Sequence, residues 1–320
     1  MRHWYRRGAV AWLLWPVSLL FRVAVFFRRI FTRGEHPGIP VVVVGNLTVG
    51  GSGKTPLTLW IAEHLKAKGW SPGIVSRGYG ASLQAPRAAT IASEATEVGD
   101  EPILLARRSG CPVWVGPDRL AAIRALRAQH PDVDVLILDD GLQHYRLRRD
   151  LEIAVVDARG FGNGFLLPAG PLREPVSRLR SVDGVVSHGS AVKGYAMTLE
   201  GSEFHRMSDA RDRKPASAFA GQKVHAVAGI GDPNRFFLHL ARHGLKPLPH
   251  PFPDHHPFKA QDLEFGDDLP VMLTEKDAVK LRHVARAHWW VLPVTAKLDP
   301  AFGDWLSGRL DEFRRRSKAA

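Results

Sequence analysis

At 320 residues the chain is long enough for one large or two medium domains, each with its own core. Its 45% hydrophobic and 24% charged residues exclude a disordered chain and a many-span membrane protein. The single cysteine, Cys111, excludes an intramolecular disulfide and a multi-cysteine metal site, while a formal charge of +12 asks for an anionic partner without naming it.

Residues 1–34 hold Arg2, Arg6, Arg7, Arg22, Arg28, Arg29 and Arg33 and no acidic residue. Between them residues 9–27 are rich in Trp, Leu, Val and Phe, broken by Pro16 and Arg22. A spanning helix, a signal peptide and a helix lying in the membrane interface all fit such a run. A fourth reading packs it on the body as an apolar helix with a basic solvent face. No small-residue cleavage site follows the run, and arginine on both flanks opposes moving either end across. The expectation is a membrane-associated helix on the cytoplasmic side, facing an anionic membrane surface.

Residues 41–44 are four valines, followed by a glycine-rich stretch ending Gly53-Lys54-Thr55-Pro56 and by helical spacing at Leu57, Trp60, Ile61, His64 and Leu65. Strand, glycine-rich loop and helix make a phosphate-binding P-loop, whose backbone N–H groups and helix N-terminus converge on one anion. Thr48, Val49, Gly50, Gly51, Ser52, Gly53, Lys54 and Thr55 would line it. Lys54 would reach the β- and γ-phosphates of ATP, and the Thr55 hydroxyl a Mg2+ position. Thr48 stands where the usual pattern has glycine.

Beyond the loop, residues 71–76 read as a strand, 81–95 as an irregular surface excursion and 103–106 as helix. Asp100 and Glu101 before Pro102 are also what a helix start prefers. A strand at 111–116 and a basic amphipathic helix at 118–130 follow. Residues 133–138 are then a buried strand ending in Asp139 and Asp140, a pair placed to hold a metal or orient a nucleophile. Another strand covers 152–157, and residues 160–175 form a long loop carrying Arg173 and Glu174. Strands alternating with helices predict a doubly wound, mainly parallel sheet of the P-loop NTPase class, with Lys54, Asp100, Asp139, Asp140 and Glu174 gathered beyond its strand ends.

From about residue 186 the pattern changes. Strands at 194–200, 223–229, 271–273 and 290–294, with helices at 235–243 and 301–316, predict a second, smaller α/β domain. The expected division is therefore 1–34, 35–185 and 186–320. Residues 247–257 read as a proline-rich loop; without cysteine or helical histidine spacing it suits delivery of one histidine to the cleft better than a zinc site. Arg314, Arg315 and Arg316 read as a solvated helix end.

Eight stretches resemble the tetraacyldisaccharide 4'-kinase family. They are residues 45–56 (GNLTVGGSGKTP), 76–80 (SRGYG), 99–102 (GDEP), 139–144 (DDGLQH), 159–175 (RGFGNGFLLPAGPLREP), 229–236 (GIGDPNRF), 252–256 (FPDHH) and 273–277 (LTEKD). Leu142 departs from the Phe expected in the acidic motif, and Thr48 matches the family's own form of the loop. The resemblance implies an ATP-dependent kinase of lipid A biosynthesis acting on the 4'-hydroxyl of a tetraacylated glucosamine disaccharide 1-phosphate. It implies a bacterial enzyme at the cytoplasmic face of the inner membrane. It also implies Asp139, Asp140, Glu174 and Thr55 at Mg2+, with Asp100 as base for the sugar hydroxyl, supported by His255 or its neighbour His256. A partner-driving NTPase is the other class considered. Thr274-Glu275-Lys276-Asp277 is one residue too long for a guanine-specific motif. Basic residues beside an apolar aromatic run argue for membrane and against nucleic acid, and no obligate protein partner is expected.

Overall fold

In the computed structural model, which describes residues 2–319, helix α1 (Ala9–Phe31) precedes alternating strands and helices. The first run comprises β1 (Val41–Gly45), α2 (Lys54–Ala67), β2 (Pro72–Ser76), β3 (Arg87–Ala89), α3 (Ala95–Val98), α4 (Asp100–Ser109) and β4 (Val113–Val115). It continues through α5 (Arg119–Gln129), β5 (Val135–Asp139), β6 (Leu151–Asp157), β7 (Gly184–His188) and β8 (Tyr195–Glu200). A second run holds β9 (Glu203–Arg206), β10 (Arg213–Pro215), β11 (Lys223–Ala228), α6 (Pro233–Arg242), β12 (Lys246–Pro251), β13 (Val271–Thr274), α7 (Glu275–Ala278) and β14 (Trp289–Leu292). The chain closes with β15 (Thr295–Leu298) and α8 (Pro300–Ala319).

The valine run of β1 is buried at every position because β5 and β6 flank it in parallel and helices cover both faces. The larger sheet has the order β15-β8-β7-β6-β1-β5-β2-β4-β3, antiparallel only at its two edges. The smaller sheet runs β10-β9-β14-β13-β11-β12; β9 is antiparallel to both of its neighbours, and the other strands share one direction.

This topology corrects the expected division at residue 186. Strand β7 runs across that boundary, and β8, β15 and α8 all belong to the larger sheet. The reason is packing. On α8, Phe302, Leu306 and Leu310 recur at helical spacing and are fully buried against the layer holding Val42 and Ile61. Each such side chain is worth roughly 1.5–3 kcal/mol relative to exposure. The smaller unit is thus an insertion between β8 and β15. The expected surface excursion contains β3, which pairs with β4 at the sheet edge. The proline-rich loop contains β12, an edge strand where missing N–H groups cost no ladder bonds. Of the expected solvated end, Arg315 is exposed, while Arg314 is half-buried: its guanidinium lies 3.5 Å from the Trp70 ring centre and donates to the Gly69 carbonyl. The side chain of Arg316 lies outside the described residues.

Helix α1 rides on the 160–172 loop. Ser18 donates to the Leu166 carbonyl at 2.8 Å and accepts from the Ala169 N–H, and Ala11 is fully buried. Most of the remaining surface of the helix is open: Leu13, Leu20 and Phe31 are 79%, 71% and 73% exposed. It is the one described helix long and apolar enough to cross a membrane.

Candidate active site

The P-loop follows β1 directly. Gly50 and Gly53 both have positive φ, which lets the loop curl tightly before it enters α2. Thr48 needs no such freedom, because it forms an extended bridge with Leu172, and the Val49 N–H donates to the Pro171 carbonyl. Ser52 is buried with an unpartnered hydroxyl, and a Cβ on Gly51 would meet open space. Lys54 Nζ lies 3.3 Å from Asn46 Oδ1 and 3.7 Å from Asp140 Oδ1, and half-buried Thr55 opens the helix beside it.

Asp139 ends β5, next to β1, and is buried. Its Oδ1 accepts the Thr58 hydroxyl at 3.1 Å, while Oδ2 has no partner. Burial first, then the charge of Glu101, push its carboxyl well above the usual range despite Lys54 nearby. Asp140, in a left-handed turn, is gripped by Arg173 at 2.9 and 3.1 Å. Burial raises the Asp140 carboxyl, but Lys54, Arg173 and Arg119 outweigh burial and hold it strongly depressed.

The expected fourth metal residue is engaged elsewhere. Both oxygens of buried Glu174 are taken, one by Gln143 Nε2 at 2.8 Å and one by Arg178 Nε at 3.2 Å. For a hard cation the fitting donors are therefore Thr55 and the orphaned Asp139 oxygen, with Asp140 available only if Arg173 yields. Glu174 lies one layer back, behind Gln143, which also donates to the Asn46 carbonyl.

A second cluster is assembled from distant segments. Asp100 begins α4 and is buried. His255 Nδ1, on the loop after β12, lies 3.1 Å from both of its oxygens, and Lys280 Nζ lies 3.3 Å from Oδ2. Burial pushes Asp100 up, but His255, Lys276 and Lys280 more than offset it and bring it down to about 2. His255 loses some basicity to burial and regains more from Asp100, so its net shift is upward. It sits at a positive φ with Tyr79 against its ring, 4.8 Å between centres. His256 goes elsewhere, 3.1 Å from Asp262. Lys276 reaches Glu101 at 3.1 Å and Asp254 at 3.2 Å.

The two clusters meet through Glu101, whose charge bears on Asp139 while its carboxylate holds Lys276. A Cβ on Gly231 would stand 2.8 Å from the Gly51 nitrogen, so the loop after β11 rests on the P-loop itself.

The chain matches the family model described as tetraacyldisaccharide-1-P 4'-kinase over residues 10–311. The tetraacyldisaccharide 4'-kinase of Aromatoleum aromaticum is 52% identical over 312 residues, covering 92% of each chain. That of Azoarcus sp. is 49% identical over 325 residues, covering 98% of this chain and 95% of its own. This chain belongs to the tetraacyldisaccharide 4'-kinase family. A crystal structure of LpxK from Aquifex aeolicus in complex with ATP has a TM-score of 0.78 to it at 27% identity, covering 94% of this chain and 99% of that one.

Within that family frame, sequence reasoning passed over Lys276 and Lys280. The signal for Lys276 is present in the 273–277 stretch, which counts toward the family and against a guanine motif without giving the lysine a part in the site. Lys280 lies three residues beyond Asp277, to which it is also bound at 3.0 Å.

Proposed function

We propose a division of labour between these two clusters. The chain is an ATP-dependent kinase that transfers the γ-phosphoryl group to the 4'-hydroxyl of a tetraacylated glucosamine disaccharide 1-phosphate in lipid A biosynthesis. The P-loop, Thr48 to Thr55, holds the triphosphate of ATP, and Lys54 offsets charge on the γ-phosphate oxygens as the transfer proceeds. Mg2+, held by Thr55 and Asp139, would add Lewis-acid stabilisation of that charge.

Asp100 takes the proton of the attacking hydroxyl. With a carboxyl at about 2 it is a weak base, so the proton moves late, when the bond to phosphorus is largely formed. His255 donates to Asp100 and fixes it. The observation that carries this reading is the buried Asp100–His255 pair, contributed by the two sheets and linked through Glu101 to the carboxylate beside the P-loop.

The open apolar face of α1, flanked by arginines, supports attachment to the anionic cytoplasmic face of the bacterial inner membrane. Leu13→Glu together with Leu20→Glu is expected to remove sedimentation with anionic vesicles. Retained sedimentation would end that assignment.

The reaction is tested by following ATP-dependent phosphorylation of the tetraacyl disaccharide 1-phosphate in detergent micelles. Wild type should form the bisphosphorylated lipid, and Asp100→Ala and Lys54→Ala should not. Nucleotide hydrolysis with no lipid product would instead favour a partner-driving NTPase.

A further inference from the structure

The order of strands gives the bound nucleotide a direction. Strand β5, with Asp139, flanks β1 on one side, and β6 and then β7 flank it on the other. With the γ-phosphoryl group toward Asp139 and Asp100, the nucleoside end of the same molecule points to the carboxyl ends of β6 and β7.

His188 ends β7 there. It is buried, and its Nδ1 lies 3.0 Å from where a Cβ on Gly53 would stand, so the imidazole presses on the loop one residue before Lys54. Arg235, in the first turn of α6, reaches across from the smaller sheet and brings Nη2 2.5 Å from His188 Nε2 and 3.2 Å from Nδ1. Burial and the Arg235 charge push His188 down to about 4, so the imidazole is neutral at pH 7.

Arg235 is thus a half-buried cation with no anionic partner. Among the described residues no carboxylate pairs with it, and the nearby Asp157 is occupied by Arg159 at 2.6 and 2.9 Å. A guanidinium held beside a phosphate cradle without a counter-charge is arranged for an anion that arrives with the ligand.

We propose that Arg235, steered by His188, is the contact that the smaller sheet makes to the α-phosphate end of the bound nucleotide, the part that ATP and ADP share. The inference rests on the P-loop reading above and adds a residue from the other side of the cleft.

The test measures ATP and ADP binding by calorimetry, kcat at saturating ATP, and thermal stability for Arg235→Gln and Arg235→Lys, beside Lys54→Ala. Arg235→Gln should weaken both nucleotides by the same factor, about ten- to a hundredfold, the worth of one charged hydrogen bond. Its kcat should stay within about threefold of wild type, and Arg235→Lys should recover part of the affinity. A fall in kcat with unchanged affinity would overturn the proposal by placing the guanidinium at the γ-phosphoryl group. Unchanged affinity with a lowered melting temperature would overturn it by leaving Arg235 as a strut between the sheets. Undiminished ATP binding by Lys54→Ala would remove the P-loop reading on which it stands, whatever Arg235 does.

Discussion

Two acidic centres stand a short distance apart in this molecule and differ in how far their charge is answered. Asp139 comes from the strand beside the P-loop and keeps one buried oxygen without a partner. Asp100 comes from the start of α4, and His255, Lys280 and the Glu101 N–H take both of its oxygens. The first centre is left for the ligand to complete. The second is complete before any ligand arrives, because its charged partners are delivered by the segments that follow β12 and β13 of the smaller sheet. A ligand should therefore change the first centre much more than the second.

The largest expected effect comes from removing the charge of the complete centre. Asp100→Asn keeps the shape and takes away the proton acceptor, so kcat should fall by roughly 10²–10⁴-fold. ATP affinity, which belongs to the other centre, should stay within about twofold. A matching loss of ATP affinity would show that the two centres are not separable.

A smaller effect tests what keeps Asp100 ionised. The groups facing it are His255 and Lys276, Lys280 behind, and the Glu101 N–H, with Asp277 fixing Lys280 and Asp254 and Glu101 fixing Lys276. Lys280→Met removes the one cation between two buried carboxylates. The Asp100 carboxyl should rise from about 2, moving the acid limb of kcat/KM to higher pH. At neutral pH Asp100 stays ionised, so kcat there should change far less than at the acid limb, and Lys280→Arg should bring the limb back toward wild type. An unmoved acid limb would leave Lys280 with a purely structural part.

The same contrast accounts for what the sequence made legible. The P-loop, β5 and Asp139 follow from short local rules: a valine run, positive-φ glycines, and carboxylates at a strand end. The second centre depends on two separate segments meeting α4, and no periodicity encodes that Lys276, Lys280 and His255 converge there. The resemblance supplied Asp100 and a choice between two histidines; the fold separates them, since His255 lies on Asp100 and His256 on Asp262. The expected break at residue 186 missed a longer-range fact. β7 is a short Gly-Val-Val-Ser-His strand with little pattern, and the return of β15 and α8 to the larger sheet is decided by where Phe302 and its neighbours can be buried. Glu174 was placed at the metal by motif alone, whereas its burial is compensated by Arg178 and Gln143.

The smallest effect is one of stability, and it turns on the incomplete centre. An acid whose folded carboxyl lies above its unfolded value binds an extra proton when the chain folds. It therefore favours folding at low pH, and that contribution fades as pH rises through the folded value. Asp139 is such an acid, raised first by burial and then by Glu101. The ligand-free chain should lose stability at this site between about pH 4 and 7, as a carboxyl raised from 3.8 to about 7 with one unanswered oxygen becomes charged. Asp139→Asn removes that charge and keeps an oxygen for Thr58. Without nucleotide it should melt a few degrees above wild type at pH 8, with the gap narrowing at pH 5, while kinase activity is lost. Thermal melts of both proteins at the two pH values decide it. A variant melting below wild type at pH 8 would mean that Lys54 alone already answers Asp139, and the two centres would then differ in location but not in kind.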